Sequence, residues 1–392
     1  MTYPKAYCPL PFVYTSIQAN GTVLPCGQFM KAVLFKDIKP FNQVFHGPQM
    51  NSMRQQMLNG QHVDGCQCPA EEAAGLRSMR QSSVDKFGIT ETPKLRALEV
   101  VFDNVCNLKC RGCASPHSHL WYDDEVELYG HTLERLKYNK STVHKDIDCS
   151  ALEEVFILGG EPLLSPNAEE FAKRLTDEDI IKNLEIKLST NGTTIPSGYM
   201  RNLFLDARML NLNISIDAYG HLNDYFRSGS DFNVIAENLK WFDELFDLRP
   251  PGSTFIKVHT TVSVYNINQL HILEQYLKQH FPRFKNSKQM MQFPIWMNVQ
   301  NMPEDFKQQV GEILKDYPEY KFELGFLNKP GSDLFAHFLN FHDQLDEMRK
   351  EDLKDSNPFL SNYIETHRAN YNVPRTESKV YFANYYDKLL NT

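Results

Sequence analysis

No stretch of eighteen consecutive apolar residues occurs in the chain, so a membrane-spanning helix is not expected. The opening MTYPKAYCPLPFVY lacks the basic region, apolar core and small-residue cleavage site of a signal peptide, and the expectation is a cytoplasmic protein. Positive charge is in deficit: 41 Lys and Arg against 49 Asp and Glu leave a net charge of −8 with His neutral. A bulk attraction to nucleic acid or to an anionic membrane surface is therefore not expected. Internal repeats and low-complexity tracts are also missing. What is present is an ordinary globular composition, 42% hydrophobic, 12% aromatic and 23% charged over 392 residues. It excludes a disordered chain, a collagen and a membrane channel, and it supplies a sizeable core. The length fits two or three domains, or one barrel of about 250 residues with an appended piece.

The eight cysteines are unevenly placed. Cys106, Cys110 and Cys113 fall inside CNLKCRGC, Cys66 and Cys68 inside CQC, and Cys8 and Cys26 bracket one short stretch; Cys149 stands alone. In a long chain without an export signal, clustered cysteines point to metal binding or redox chemistry before disulfides.

Residues 1–92 are loop-rich. NGT at 20–22 sits between two apolar runs and predicts a tight hairpin turn, and NSMRQQMLNG predicts a short helix stopped by Gly60. This module has little core of its own, which a metal would offset. From residue 93 the pattern alternates. Strands are expected at 95–102, 154–158, 184–189, 212–216, 255–264 and 291–299, with amphipathic helices between them. That alternation predicts an α/β fold with a parallel sheet, either an open doubly wound sheet or a partial barrel, with ligands at the C-terminal ends of the strands. Residues 301–392 are expected to form a helical C-terminal extension that caps the barrel or meets a partner.

Four expected strands each end in polar groups. CNLKCRGC follows the first. Three thiolates in one loop can hold three corners of a [4Fe–4S] cluster and leave the fourth iron open; a structural zinc site or a ferredoxin-type site with a borrowed fourth cysteine is the alternative. FILGGEPLL leaves the second strand through Gly159 and Gly160, where a ligand can approach the backbone closely, and Glu161 can accept hydrogen bonds from an ammonium group. LSTNG ends the third strand with Ser189, Thr190 and Asn191, and SIDA ends the fourth with Ser215 and Asp217.

These motifs, in this order, resemble the radical S-adenosylmethionine (radical SAM) enzymes over about residues 93–300. The resemblance implies a partial (β/α)6 TIM-type barrel. It implies that Cys106, Cys110 and Cys113 bind a [4Fe–4S] cluster whose open iron takes the amino and carboxylate groups of SAM. The GGEP segment, Gly159, Gly160, Glu161 and Pro162, would hold the SAM amino group. Ser189, Asn191, Ser215 and Asp217 would lie near the ribose and the methionine carboxylate, with Arg227 near that carboxylate. The family usually has an aromatic residue before the third cysteine, packing near the adenine; here it is Gly112, so another side chain must fill that space.

The N-terminal residues CPLPF, NGTVLPCGQ, MRQQMLNG and CQCPAEEAAGLRSMR resemble the auxiliary-cluster module of twitch-domain (SPASM-like) radical SAM proteins. The resemblance implies that Cys8, Cys26, Cys66 and Cys68 bind a second iron–sulfur cluster; a zinc site with four cysteine ligands is the alternative. The usual ending is CxxC, and the thiol expected at Gly65 sits at Cys66 instead. The activity implied is reductive cleavage of SAM to a 5′-deoxyadenosyl radical that abstracts hydrogen from a peptide or protein substrate. The electron would come from a donor such as flavodoxin or ferredoxin. The alternative is a non-catalytic metal-binding interaction protein on the same barrel. Among weaker signals, Cys149 is expected to be a buried small apolar residue, His117 and His119 to cap or pack the first barrel helix, and His259 to face the barrel interior.

Overall fold

The computed structural model describes residues 4–29, 40–132 and 143–391. Eight strands form one sheet: β1 (Tyr14–Ile17), β2 (Val23–Leu24), β3 (Ala97–Val101), β4 (Glu154–Leu158), β5 (Glu185–Thr190), β6 (Met209–Ser215), β7 (Thr254–Val262) and β8 (Lys285–Met290). Their order is β2-β1-β3-β4-β5-β6-β7-β8, and every pair except β1–β2 is parallel. This is the expected α/β architecture, a partial TIM-type barrel with a helical C-terminal region.

Alternation along each strand sets the two faces. Ile186 and Leu188 on β5, Leu210, Leu212 and Ile214 on β6, and Ile256 and Val258 on β7 are at most 1% exposed and join one core with helical side chains such as Phe171, Phe204, Leu239 and Phe242. Polar residues take the other, concave face. Asn211, Asn213 and Ser215 on β6 are register partners of Phe255, Lys257 and His259 on β7, so a period of two places them together inside the barrel.

The N-terminal residues supply α1 (Leu10–Val13), α2 (Phe41–Phe45), α3 (Pro48–Leu58), α4 (Cys68–Ala73) and α5 (Met79–Phe87). The hairpin expected at NGT is there: β1 and β2 pair antiparallel, and Gly21 takes the left-handed φ of +82° that such a turn needs. The helix expected before Gly60 ends at Leu58. β1 then adds in parallel to β3, and Ile17, Val23, Phe41, Phe45 and Met53 enter the same core as the barrel strands.

The barrel helices are α6 (Tyr122–Tyr129), α7 (Pro166–Asp177), α8 (Gly198–Asp206), α9 (His221–Phe226), α10 (Phe232–Leu248) and α11 (Leu270–His280). The first helix was expected over 119–138; instead His119–Trp121 is a 3₁₀ turn and α6 stops at Tyr129, where Gly130 takes a left-handed φ of +87°, and residues 133–138 of that expectation lie outside the described residues. The sixth strand is a correction. It was expected at 291–299 but occupies Lys285–Met290, while 291–299 holds two short 3₁₀ turns, Ile295–Met297 and Val299–Asn301. Pro294 has no N–H for a ladder. The apolar side chains of that run turn away from the sheet: Trp296, Met297 and Val299 are fully buried in a second core. An edge strand has only one neighbour, so the polar KNSKQM serves there.

That second core is built by α12 (Glu304–Leu314), α13 (Lys321–Leu327), α14 (Phe335–Arg349), α15 (Pro358–His367) and α16 (Arg375–Asn391). Trp296 is its hub, 4.3 Å from Phe382 and 5.6 Å from Phe341 between ring centroids. Among the described residues no helix is long and apolar enough to cross a membrane.

Candidate functional site

At the C-terminal ends of the strands lies a cavity of about 240 Å³. Cys106, Cys110 and Cys113 line it, together with Gly159, Gly160, Ser189, Asn191, Ser215, Asp217 and Arg227. The chain thus brings ten of the residues expected at this rim to one place. Burial pushes the Cys106 thiol up to about 11 and raises Cys110 and Cys113 as well. Thiolate ligation would therefore displace protons. Leu108 N–H lies 3.5 Å from Cys106 Sγ and Arg227 Nη1 3.9 Å from Cys110 Sγ, donors suited to a thiolate. Three soft sulfur donors in one loop fit an iron–sulfur cluster by ligand chemistry.

The GGEP segment behaves differently from the expectation. Glu161 is 1% exposed and does not line the cavity. Its carboxylate accepts hydrogen bonds from Leu163 N–H (3.1 Å), Thr190 Oγ1 (2.8 Å) and Asn191 N–H (2.7 Å). Burial nevertheless pushes its pKa up to about 7. The side chain pins the end of β5 and has no acceptor turned to a ligand. Pro162 is buried in the 3₁₀ turn that follows and also lies outside the cavity lining. The glycines are needed for a neighbour within the chain: a Cβ on Gly160 would stand 2.3 Å from Val105 O. Gly160 N–H and Glu161 N–H donate to the carbonyls of Asp103 and Val105, so the cysteine loop is laced backbone to backbone onto the end of β4.

Across the cavity, Asp217 and Arg227 form a buried ion pair, Oδ2 to Nε at 2.8 Å. Asp217 also accepts from Thr261 N–H at 2.7 Å. The Arg227 Nε has no aligned hydrogen-bond acceptor, which leaves this guanidinium suited to a further carboxylate. Asn191 lends its amide to Asn107 Oδ1 (2.9 Å) on the cysteine loop. The space beside Gly112, expected to need another side chain, is filled by Met291 and Phe226: a Cβ on Gly112 would lie 2.5 Å from Met291 Cε and 3.3 Å from Phe226 Cζ. Both line the cavity, as do Thr261 and His117. Sequence reasoning missed Met291 and Phe226, and placed His117 in helix packing. Phe226 had one available signal, its position beside Arg227. His119, expected to cap or pack the first barrel helix, begins the 3₁₀ turn before α6, and its Nδ1 accepts from Cys106 N–H of the cysteine loop at 3.4 Å. Cys149 is buried in the core as expected.

The C-terminal helices hold the cysteine loop from behind. Arg111, between the second and third cysteines, is fully buried. Its Nη2 contacts Asp346 Oδ1 at 2.5 Å and Glu351 Oε2 at 2.6 Å, its Nε donates to Tyr225 O, and its guanidinium lies 3.8 Å from the Tyr225 ring centroid. Arg349 donates to Lys109 O and pairs with Asp124, while Trp121 Nε1 donates to Cys110 O.

Cys8 and Cys68 are buried, Cys26 and Cys66 partly so. Burial pushes Cys26 up to about 12 and Cys66 to about 11, with smaller repulsions from the neighbouring thiols of this group; Cys8 is raised by the same causes. The four therefore lie within electrostatic reach of one another. Gly65, at φ +96°, makes the turn into CxC. This group sits by the N-terminal ends of β1 and β3, because Cys8 precedes α1 and Cys26 follows the antiparallel β2. The cavity thiols follow the opposite end of β3, whose length from Ala97 to Val101 is about 13 Å. Among the described residues no three His, Cys, Asp or Glu side chains are grouped to hold a single metal ion.

A family model described as the radical SAM superfamily matches residues 100–259. The match covers about two-fifths of the chain. Part of the chain is similar to curated proteins named GTP 3′,8-cyclase. One, of Aliarcobacter butzleri, is 30% identical over 134 residues, 34% of this chain and 37% of that protein. Another, of Alkaliphilus oremlandii, is 30% identical over 150 residues, 37% of this chain and 42% of that protein. The match thus spans about two-fifths of these relatives' own length. Among solved structures, native anSMEcpe with bound AdoMet is 17% identical, covering 61% of this chain and 63% of that one at a TM-score of 0.36. Streptococcus suis SuiB bound to precursor peptide SuiA is 15% identical, covering 76% of this chain and 65% of that one at a TM-score of 0.35.

Proposed function

We propose that the chain is a radical SAM enzyme acting on a peptide or protein. The observation that carries the reading is one cavity that joins three thiols to the buried Asp217–Arg227 pair at the ends of parallel strands. When bound, a reduced [4Fe–4S] cluster would pass one electron to SAM, breaking its sulfur–C5′ bond to give methionine and a 5′-deoxyadenosyl radical that takes hydrogen from the substrate. Cys106, Cys110 and Cys113 would hold the cluster. Arg227 would face the methionine carboxylate, and Ser189, Asn191 and Ser215 the ribose side. The backbone of Gly159 and Gly160, rather than the Glu161 side chain, would meet the amino group. Met291 and Phe226 supply apolar surface for an adenine and help exclude water.

Cys8, Cys26, Cys66 and Cys68 would hold a second, auxiliary iron–sulfur cluster. Their mutual proximity and soft sulfur donors suit an iron–sulfur group. With four protein ligands this cluster would leave no iron for SAM, and its place at the far end of β3 puts the barrel interior between the two sites. A flavodoxin or ferredoxin would deliver the electron. A second reading, a nucleotide substrate, draws on the partial similarity to the GTP 3′,8-cyclases. The test is anaerobic reconstitution with iron and sulfide. Brown protein with broad visible absorbance, about eight iron per chain and dithionite-driven release of 5′-deoxyadenosine are expected. Colourless zinc protein, or iron without SAM cleavage, would support the non-catalytic metal-binding alternative instead.

A further inference from the structure

Apart from Thr261, the β7–β8 wall of the barrel interior takes no part in the site just described. Phe255, Lys257, His259 and Thr261 alternate onto the concave face of β7, while Ile256, Val258 and Thr260 between them are buried. Phe255 is 47% exposed and Lys257 is exposed. The register partner of Lys257 on β8 is Lys285, which is also exposed. Neighbouring strands lie about 4.8 Å apart, and like charges in register across a ladder cost stability. Among the described residues neither ammonium has a carboxylate within 4 Å. The opposite wall of the same interior differs: there Lys187 is shared between Glu154 and Glu185, and Lys86 also reaches Glu154. Positive charge is compensated on one wall and left open on the other, in a chain whose net charge is −8.

We infer that this wall binds an acidic segment of a peptide substrate, Lys257 and Lys285 taking a side-chain carboxylate and Phe255 an apolar neighbour. The inference rests on the reading of the barrel as a peptide-modifying site. Thr261 lines the cavity beside the cysteine loop, and Lys257 lies four residues before it on the same strand, about 13 Å away. An extended peptide advances at about 3.3–3.6 Å per residue. The recognised carboxylate therefore stands about four residues from the residue presented to the cavity. His259 lies between, its Nδ1 3.4 Å from Ser287 Oγ, and offers polar contact to the intervening backbone.

The test is selection of a displayed library of random dodecapeptides on the full, cluster-loaded chain and on a Lys257→Glu, Lys285→Glu variant. Both side chains are exposed, so the variant should keep its fold and its substrate-free SAM cleavage. The wild type should enrich acidic residues at a fixed spacing from an apolar one. The reversal should lower binding of the selected peptides by about tenfold or more, and added salt should weaken it in the wild type. No peptide binder, no acidic enrichment, or equal binding by the reversed wall overturns the inference, as does displacement of the selected peptides by GTP, which would assign the lysines to a nucleotide phosphate. Release of 5′-deoxyadenosine, measured on the same preparations without peptide, reports separately on the enzyme reading.

Discussion

The fully buried Arg111 of the cysteine loop and the half-buried Asp346 of α14 are joined by an ion pair across 235 positions of sequence, Nη2 to Oδ1 at 2.5 Å. Glu351 completes the carboxylate pair around the same nitrogen, and Ser228 donates to Glu351. The C-terminal helices are thus part of the cavity's support. Removing both carboxylates by Asp346→Ala with Glu351→Ala leaves a fully buried cation unpaired, a change that typically costs 3–5 kcal/mol. The expected outcome is a lower thermal midpoint and loss of about four of the reconstituted iron atoms, with the N-terminal iron retained. Asp346→Asn alone should give a smaller loss. Unchanged iron and stability in the double variant would show that the loop needs no clamp.

Gly112 and Met291 compete for one space. A phenyl ring introduced by Gly112→Phe must displace Met291 and press on Phe226, an overpacking that costs about 1–3 kcal/mol. Met291→Ala alone empties the space, at about 2–5 kcal/mol for a buried methionine. The two together should recover much of both losses, because the ring occupies what the methionine vacates. Thermal unfolding of the three variants checks this, and calorimetric titration with SAM should show the double variant binding more tightly than Met291→Ala. Additive losses in the double variant would mean the two side chains do not share the space.

The strands β3 to β7 were legible because their outward residues are apolar at a period of two, and β3 to β6 also end in CNLKCRGC, GGEP, STNG and SID. The eighth strand was not. KNSKQM has no apolar alternation, and the apolar run after it is buried by helices that only the folded chain brings near. The roles of Glu161 and Arg111 were hidden for the same reason. An acid in GGEP looks free until Thr190 and Asn191 are seen to occupy it, and nothing local in CNLKCRGC says that α14 supplies counter-charges for its arginine.

Glu161 should leave a pH signature. Its folded pKa, about 7, is above the ordinary 4.5 of an unfolded glutamate. The folded state then holds the proton more tightly, so the stability this gives is present in full below about pH 4.5 and is lost as the pH rises through 7. Between pH 5 and 8 the loss is on the order of 2–3 kcal/mol. Glu161→Gln removes that slope. It also turns an amide toward the Asn191 N–H, leaving a buried donor unpaired at a cost of about 1–3 kcal/mol. Urea unfolding across this range should find the wild-type advantage largest near pH 5 and narrowing toward pH 8. Parallel pH profiles for the two proteins would mean that Glu161 ionises normally in its buried setting.

The two cysteine groups lie at opposite ends of β3, so their metal contents should separate. Replacing Cys106, Cys110 and Cys113 with Ala should remove about four iron and all SAM cleavage while leaving about four iron in the N-terminal group, as two independent cubanes require. Replacing Cys66 and Cys68 should do the converse: SAM is still cleaved slowly, and productive turnover is lost. Its structural effect should be local. Cys66 and Cys68 belong to the N-terminal residues, which add to the shared core at β1, whereas β4 to β7 pack into that core against side chains of α7 and α10. Limited proteolysis should then cut faster within residues 40–92 and leave the barrel strands protected. The CxC spacing can be tested in the same way. Gly65→Cys with Cys66→Gly moves the thiol to the CxxC position but surrenders a residue at φ +96°, where a side chain is strained, so a modest fall in stability with iron preserved is expected. Loss of the second four iron in that variant would show that the native turn at Gly65, and not the number of thiols, sets the geometry of this site.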